Sequence, residues 1–127
     1  MAKSNTIGKD GEQAACEYLI GKGYTIRETN WRLGHLEIDI VAHEPQANLL
    51  HIVEVKTRSS LSEHYDPMEA INRKKKNNLV NAANGYIQYY QLPMYVQFDV
   101  MILVGPSPDY EILFIPDAFQ PSLRTIR

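Results

Sequence analysis

LEIDIVAHEPQANLLHIVEVKTR, residues 36–58, is the stretch that decides the fold. Two runs rich in Ile and Val, Leu36 to His43 and Leu49 to Thr57, are separated by Pro45-Gln46-Ala47-Asn48, the pattern of an antiparallel pair joined by a short loop. That loop sets Asp39 opposite Glu54 and Glu37 opposite Lys56. Strand side chains alternate between faces, so one face is expected to carry Glu37, Asp39, Glu54 and Lys56 together with Val41 and Ile52. Ile38, Ile40, Val53 and Val55 fall on the other.

Directly opposed residues have Cβ atoms about 4.5–5.5 Å apart, so Asp39 and Glu54 repel unless something cationic sits between them. A divalent metal meets that need. Mg²⁺ binds few protein carboxylates and keeps water positions open for a phosphate. Lys56 alongside would stabilise charge on a transferring phosphate or orient a water. The competing reading is a solvated strand face with Glu37–Lys56 as a weak ion pair. The single register and the apolar Val41 and Ile52 on the same face weigh against it.

The 127-residue chain fits one domain with a real core, and 44% hydrophobic with 22% charged residues is ordinary globular composition. Its formal net charge of −2 means that any nucleic-acid contact must come from a local patch. One cysteine, Cys16, excludes an intrachain disulfide framework and a cysteine-rich zinc site. No signal peptide is read and no apolar run nears the ~18 residues of a membrane span, so no membrane contact and a cytoplasmic location are expected.

Upstream of the central stretch, residues 1–6 are polar and expected to fray. A helix is predicted from about Gly8 to Lys22 by the spacing of Ala15, Cys16 and Leu19, with Gly21 and Gly23 at its end. One turn back on the same stripe stands Glu12, which reads either as a third metal ligand or as a first-turn Glu favoured by the helix dipole. Cys16 reads as a small core residue. Tyr24 to Asn30 is a first strand. Trp31 reads as packing or as a base-stacking ring, and Arg32 as a phosphate contact. His35, His43, His51 and His64 lack ligand spacing and are read as non-ligands.

Downstream, Ser59 to Asp66 is polar, and Pro67 opens a helical turn capped by Asp66. A second helix, Arg73 to Gln91 with Asn72 as N-cap, buries Leu79, Ala83, Tyr86 and Tyr90. Its first turn, Arg73-Lys74-Lys75-Lys76, opposes the helix dipole at about 0.3 kcal/mol or more per charge. With Arg58 it forms the best phosphate-binding patch, set against the alternative of a solvated basic helix end. Met94 to Val104 is a covered strand in which Asp99 pairs with a lysine of the second helix. Gly105 to Asp109 is a turn, Tyr110 to Ile115 a last strand, and residues 116–127 a tail with a turn around Asp117-Ala118-Phe119.

The order helix, three strands, helix, two strands, with Glu12, then Asp39, then Glu54-Val55-Lys56, resembles the PD-(D/E)XK nuclease superfamily. More closely, the chain is similar to the YraN-like family of predicted endonucleases, distantly related to archaeal Holliday-junction resolvases. The matching residues are Gly8, Gly11-Glu12, Ala15, Tyr18-Leu19, Gly23-Tyr24, Asn30-Trp31-Arg32, Glu37-Ile38-Asp39, Glu54-Val55-Lys56-Thr57-Arg58, Lys75, Ala82-Ala83 and Phe98-Asp99-Val100. Leu36 stands where many members have Gly, and Gln97 where an Arg often precedes Phe-Asp.

The resemblance implies an α/β, restriction-endonuclease-like core of order αβββαββ, a mixed central sheet flanked by helices, over residues 8–115 of a single domain. It implies Glu12, Asp39 and Glu54 as ligands of Mg²⁺ or Mn²⁺, Lys56 beside the attacking water, and a symmetric homodimer. The expected function is a metal-dependent endonuclease cutting DNA, branched or junction forms included. Arg32, Arg58, Arg73, Lys74, Lys75 and Lys76 are its nucleic-acid contacts, and Glu37 and Thr57 its supporting residues. The alternative is a non-catalytic nucleic-acid- or partner-binding module with a nuclease fold.

Overall fold

The computed structural model describes residues 2–121. Its elements follow the order α1 (Ala2–Gly21), β1 (Thr25–Leu33), β2 (Leu36–Glu44), β3 (Leu49–Arg58), α2 (Arg73–Tyr90), β4 (Tyr95–Val104) and β5 (Glu111–Phe119). Among the described residues the strands form one five-stranded mixed sheet in the order β1-β2-β3-β4-β5. Neighbours are antiparallel except β3 and β4, which are parallel and are joined through α2, as a parallel pair needs a long crossover. The fold is mixed α/β, in the element order that the sequence predicts.

Local chemistry fixes most of the boundaries. Gly23 takes φ +95°, a left-handed conformation that stops α1, and Gly34 at φ +61° makes the tight β1–β2 turn. Asn72 caps α2 by accepting the Lys75 N–H at 2.8 Å, and Asp66 accepts the Met68 N–H at 3.0 Å over the short turn Pro67–Ala70. The predicted β2–β3 register holds from Glu44↔Leu49 to Ile40↔Val53.

Each sheet face has its own core. On the α2 face Val41, Leu50, Ile52, Phe98, Val100 and Ile102 pack against Leu79, Val80, Ala83 and Tyr86. On the α1 face Ile40, Ala42, Val53, Met101 and Leu103 pack against Ala15 and Leu19, with Cys16 half-buried beside them. Ile38 joins the α2 face although Ile40 joins the other, so the expected grouping of Ile38 with Ile40 fails. Alternation along β2 breaks between them, at Asp39.

Several boundaries move. α1 starts at Ala2, ahead of the expected Gly8, which replaces fraying of residues 2–6 with helix and leaves Glu12 in the helix interior. The dipole acts only within the first turn, so it no longer explains a Glu at position 12. β1 runs on through Trp31, whose ring meets Tyr86 edge-on at 5.1 Å and is therefore packing. β5 continues to Phe119 where a turn is expected around Asp117. Asp117, at φ 52°, lies in a bulge that restores pairing at Phe98↔Phe119. Residues 122–127 of the expected tail lie outside the described residues. Tyr90 is 40% exposed rather than part of the buried stripe. No described helix is long and apolar enough to cross a membrane.

A polar cluster inside the α1 face is the main surprise. His51 is 1% exposed. Its Nδ1 lies 2.6 Å from Asp99 Oδ2 and its Nε2 2.7 Å from Glu44 Oε1, while the Tyr24 ring stacks on it at 4.4 Å. Asp99 also accepts the Gln97 amide and the Asp117 N–H, each at 2.9 Å. It thus pairs with His51 and not with an α2 lysine, because its neighbours Phe98 and Val100 face α2, which turns Asp99 to the α1 face with His51.

With a carboxylate at each ring nitrogen, the imidazolium form, which donates on both sides, is favoured at His51. Burial pulls its pKa down, but the hydrogen bonds to Asp99 and Glu44 and their charges outweigh that, so the net shift is upward. A histidine with a raised folded-state pKa contributes stability fully present below its unfolded value of about 6.5 and lost as pH rises through the folded value. Urea unfolding from pH 6 to pH 9 is therefore expected to show falling stability, and a smaller fall in His51→Gln. His51→Ala is expected to cost about 3–5 kcal/mol at pH 6, as removal of one partner from a buried ion pair does.

Candidate active site at the fork of the sheet

β2 and β3 part company at one place. Their ladder stops at Ile40↔Val53, while β2 goes on pairing with β1 to Leu36 and β3 goes on pairing with β4 to Arg58. At the parting, Asp39 Oδ2 accepts the Val55 N–H at 2.8 Å, so a side chain takes a backbone donor at the split. The fork opens a cleft of about 150 Å³ lined by Glu12, Asn30, Asp39, Ile40, Val55 and Thr57.

Glu54 stands on the next residue of β3 beyond the last pair and is 2% exposed. Its Oε2 is 3.1 Å from Lys56 Nζ and 3.4 Å from Lys75 Nζ. Its Oε1 is buried with no hydrogen-bond partner among the described residues. Buried carboxylate oxygens are normally satisfied by protein, water or an ion, and this one accepts nothing from the described residues. Burial first, and then the charge of Glu54, push the Asp39 carboxyl up to about 7, against the opposing Val55 N–H and Lys75.

The predicted site residues therefore divide. Asp39 and Thr57 line the cleft, which Glu12 reaches from α1, where Asn30 Nδ2 donates to its Oε2, whereas Glu54 and Lys56 pair with each other beside it and are not among its lining residues. Glu37 does not pair with Lys56. It faces Arg32 across the β1–β2 ladder, 3.4 Å away, and that pair is largely exposed. Lys75, expected on a nucleic-acid backbone, turns inward to Glu54 instead. Arg73 and Lys76 line a separate hollow with Phe119, the Lys76 ammonium lying 5.7 Å from that ring. Lys74 is exposed, and Arg58 donates to the Thr57 carbonyl at 2.9 Å.

Two roles escaped the sequence reading. Asn30 holds Glu12 from φ 53°, a left-handed conformation that Asn tolerates better than other non-glycine residues. The residue type was the signal. Lys75 could be read only as one of four consecutive cations, because nothing local says which of them faces the sheet.

The donor set was tested against a divalent ion. Among the described residues no group of three or more His, Cys, Asp or Glu side chains stands together as a metal site. Two carboxylates do meet the ordinary requirement of Mg²⁺, which binds through one or two and keeps its other positions for water and phosphate. The partnerless Glu54 Oε1 and the Asp39 carboxyl held out of its ordinary ionised range both fit a missing cation.

The match to known proteins covers most of the chain. A model of "Uncharacterised protein family UPF0102" matches residues 11–103, a span that contains every residue at the fork. A UPF0102 protein of Bacteroides thetaiotaomicron is 44% identical over 123 residues, covering 97% of this chain and 99% of its own length. One from Flavobacterium psychrophilum is 40% identical over 119 residues, covering 94% and 98%.

A carboxyl with a raised folded-state pKa contributes stability that is present below its unfolded value of 3.8 and lost as pH rises through about 7. Asp39→Asn keeps an acceptor for Val55 and removes the charge. In EDTA at pH 8 it is expected to be more stable than wild type by on the order of 2 kcal/mol after discounting for solvent screening. The gain should fade at pH 4, and urea unfolding at the two pH values measures it.

Proposed function

The chain belongs to the uncharacterised protein family UPF0102, and we propose that it is a metal-dependent endonuclease of PD-(D/E)XK type that hydrolyses phosphodiester bonds in DNA, branched or junction forms among them. The observation that carries this reading is the buried, partnerless Glu54 Oε1 beside Asp39 at the fork, with Lys56 3.1 Å from the other Glu54 oxygen. Asp39, Glu54 and Lys56 at the fork make a donor set suited to phosphoryl transfer.

Asp39 and Glu54 would hold Mg²⁺ or Mn²⁺, and Glu12 would join them once released from Asn30. When bound, the ion supplies charge neutralisation of the phosphate and a water of lowered pKa. Lys56 offers a hydrogen-bond donor to the attacking water and a positive charge to the developing phosphorane-like oxygens. Lys75 shares Glu54 with Lys56 and so fixes that carboxylate's orientation. Arg58, Arg73, Lys74 and Lys76 would contact the strand backbone, which positions a substrate without reading its sequence.

One observation favours a second reading, a non-catalytic nucleic-acid-binding module. Glu12 is engaged by Asn30 and Glu54 by two lysines, so the three carboxylates do not stand as a ready metal site.

Labelled single-stranded, duplex, flap and four-way-junction DNAs incubated with Mn²⁺ or Mg²⁺ separate the two. Cleavage is expected for wild type and is expected to fall at least about 100-fold in Lys56→Ala and in Glu54→Ala, the usual loss on removing one transition-state contact. Binding without cleavage across the panel, unaffected by EDTA, would favour the module.

A further inference from the structure

Beyond Lys56, β3 enters a second hollow. It has a volume of about 240 Å³ and is walled by Thr57, Arg58 and Ser59 on one side and by Pro106, Ser107 and Tyr110 on the other. The two walls are tied together, since Gly105 N donates to the Arg58 carbonyl at 2.8 Å. The hollow lies at the carboxyl ends of β3 and β4, the parallel pair of the sheet, where open α/β sheets tend to take their ligands.

It also adjoins the cleft at the fork. Thr57 lines both hollows. Thr57 Oγ1 and Tyr110 Oη both lie within 4 Å of the point where a side chain at Gly11 would begin, next to Glu12. Tyr110 Oη is buried and has no hydrogen-bond partner among the described residues, so the junction contains a donor without an acceptor.

We propose that this second hollow receives one unpaired nucleobase of the DNA strand whose phosphate is held at the fork. This rests on the nuclease reading of the fork and narrows it to a substrate class. A nucleobase has two apolar faces and a hydrogen-bonding edge. The hollow offers a proline and the Tyr110 ring to the faces, and the Arg58 guanidinium to the attached phosphate. A base within a duplex is stacked on both sides and paired along its edge, and reaches such a hollow only after being extruded. Strands with an unpaired nucleotide next to the scissile phosphate are thereby preferred over continuous duplex.

The test uses the full chain and two oligonucleotides that differ only in one 4-thiothymidine, unpaired in a flap or paired in a duplex, with Ca²⁺ present. Irradiation is expected to join the unpaired base to Tyr110, Pro106 or Ser107, as located by mass spectrometry. Affinity for the flap is expected to exceed that for the duplex by about tenfold, the usual worth of one base stacked on an aromatic ring. Ser59→Phe, which fills the hollow from its exposed rim, is expected to erase that preference. Tyr110→Phe, which keeps the ring, is expected to retain the adducts at Pro106 and Ser107. Adducts only outside the hollow, or an unchanged flap preference in Ser59→Phe, would overturn the proposal. Adducts in the hollow from a protein that cleaves nothing in Mn²⁺ would support the hollow and overturn the nuclease reading alone.

Discussion

The hydrogen bond from Val55 N–H to the Asp39 carboxylate is the interaction on which the rest of the site depends. A backbone donor on β3 must be satisfied once the β2–β3 ladder ends, and a side chain from β2 satisfies it. With that substitution the two strands can separate without orphaning the amide. β2 stays with β1, β3 stays with β4, and the gap between the two halves of the sheet becomes a cleft. The same residue marks the change of face along β2, with Ile38 packing under α2 and Ile40 under α1.

Separation brings two carboxylates to the fork, and the surroundings compensate them only in part. Lys56 and Lys75 share one oxygen of Glu54, leaving the other without a partner, and the Asp39 carboxyl is driven upward by burial and by Glu54. A protein selected for stability alone would replace such a pair. Its presence in a fold with two well-packed cores is the usual signature of a site kept for function at some expense of stability. The contrast with His51 is instructive. There the imidazole ring faces a carboxylate at each nitrogen, so both carboxylates have a hydrogen-bond partner.

Much of this was legible in the sequence wherever the governing physics is local. The β2–β3 register from Glu44↔Leu49 to Ile40↔Val53 followed from one short loop and the Asn72 and Asp66 caps from residue type, but the ladder ends before the expected Asp39–Glu54 and Glu37–Lys56 pairs. What was not legible depends on contacts between distant segments. Lys75 cannot be distinguished from its three basic neighbours until α2 is docked on the sheet. Glu37 finds Arg32 because β1 runs longer than its apolar pattern suggested. His51 and Asp99 each interrupt an apolar run, Leu50 to Val53 and Phe98 to Val100, and two such interruptions were a usable signal. Pairing them required the parallel β3–β4 register, which no turn between those strands encodes.

The central claim is that the fork is shaped for a divalent cation, and calorimetric titration of the metal-free protein with Mn²⁺ tests it without any substrate. The account predicts one ion bound per chain, with binding abolished in Glu54→Gln, and no loss in Glu37→Gln, whose carboxylate faces Arg32 outside the fork. Absence of binding to the wild type, or binding that survives Glu54→Gln unchanged, would contradict it.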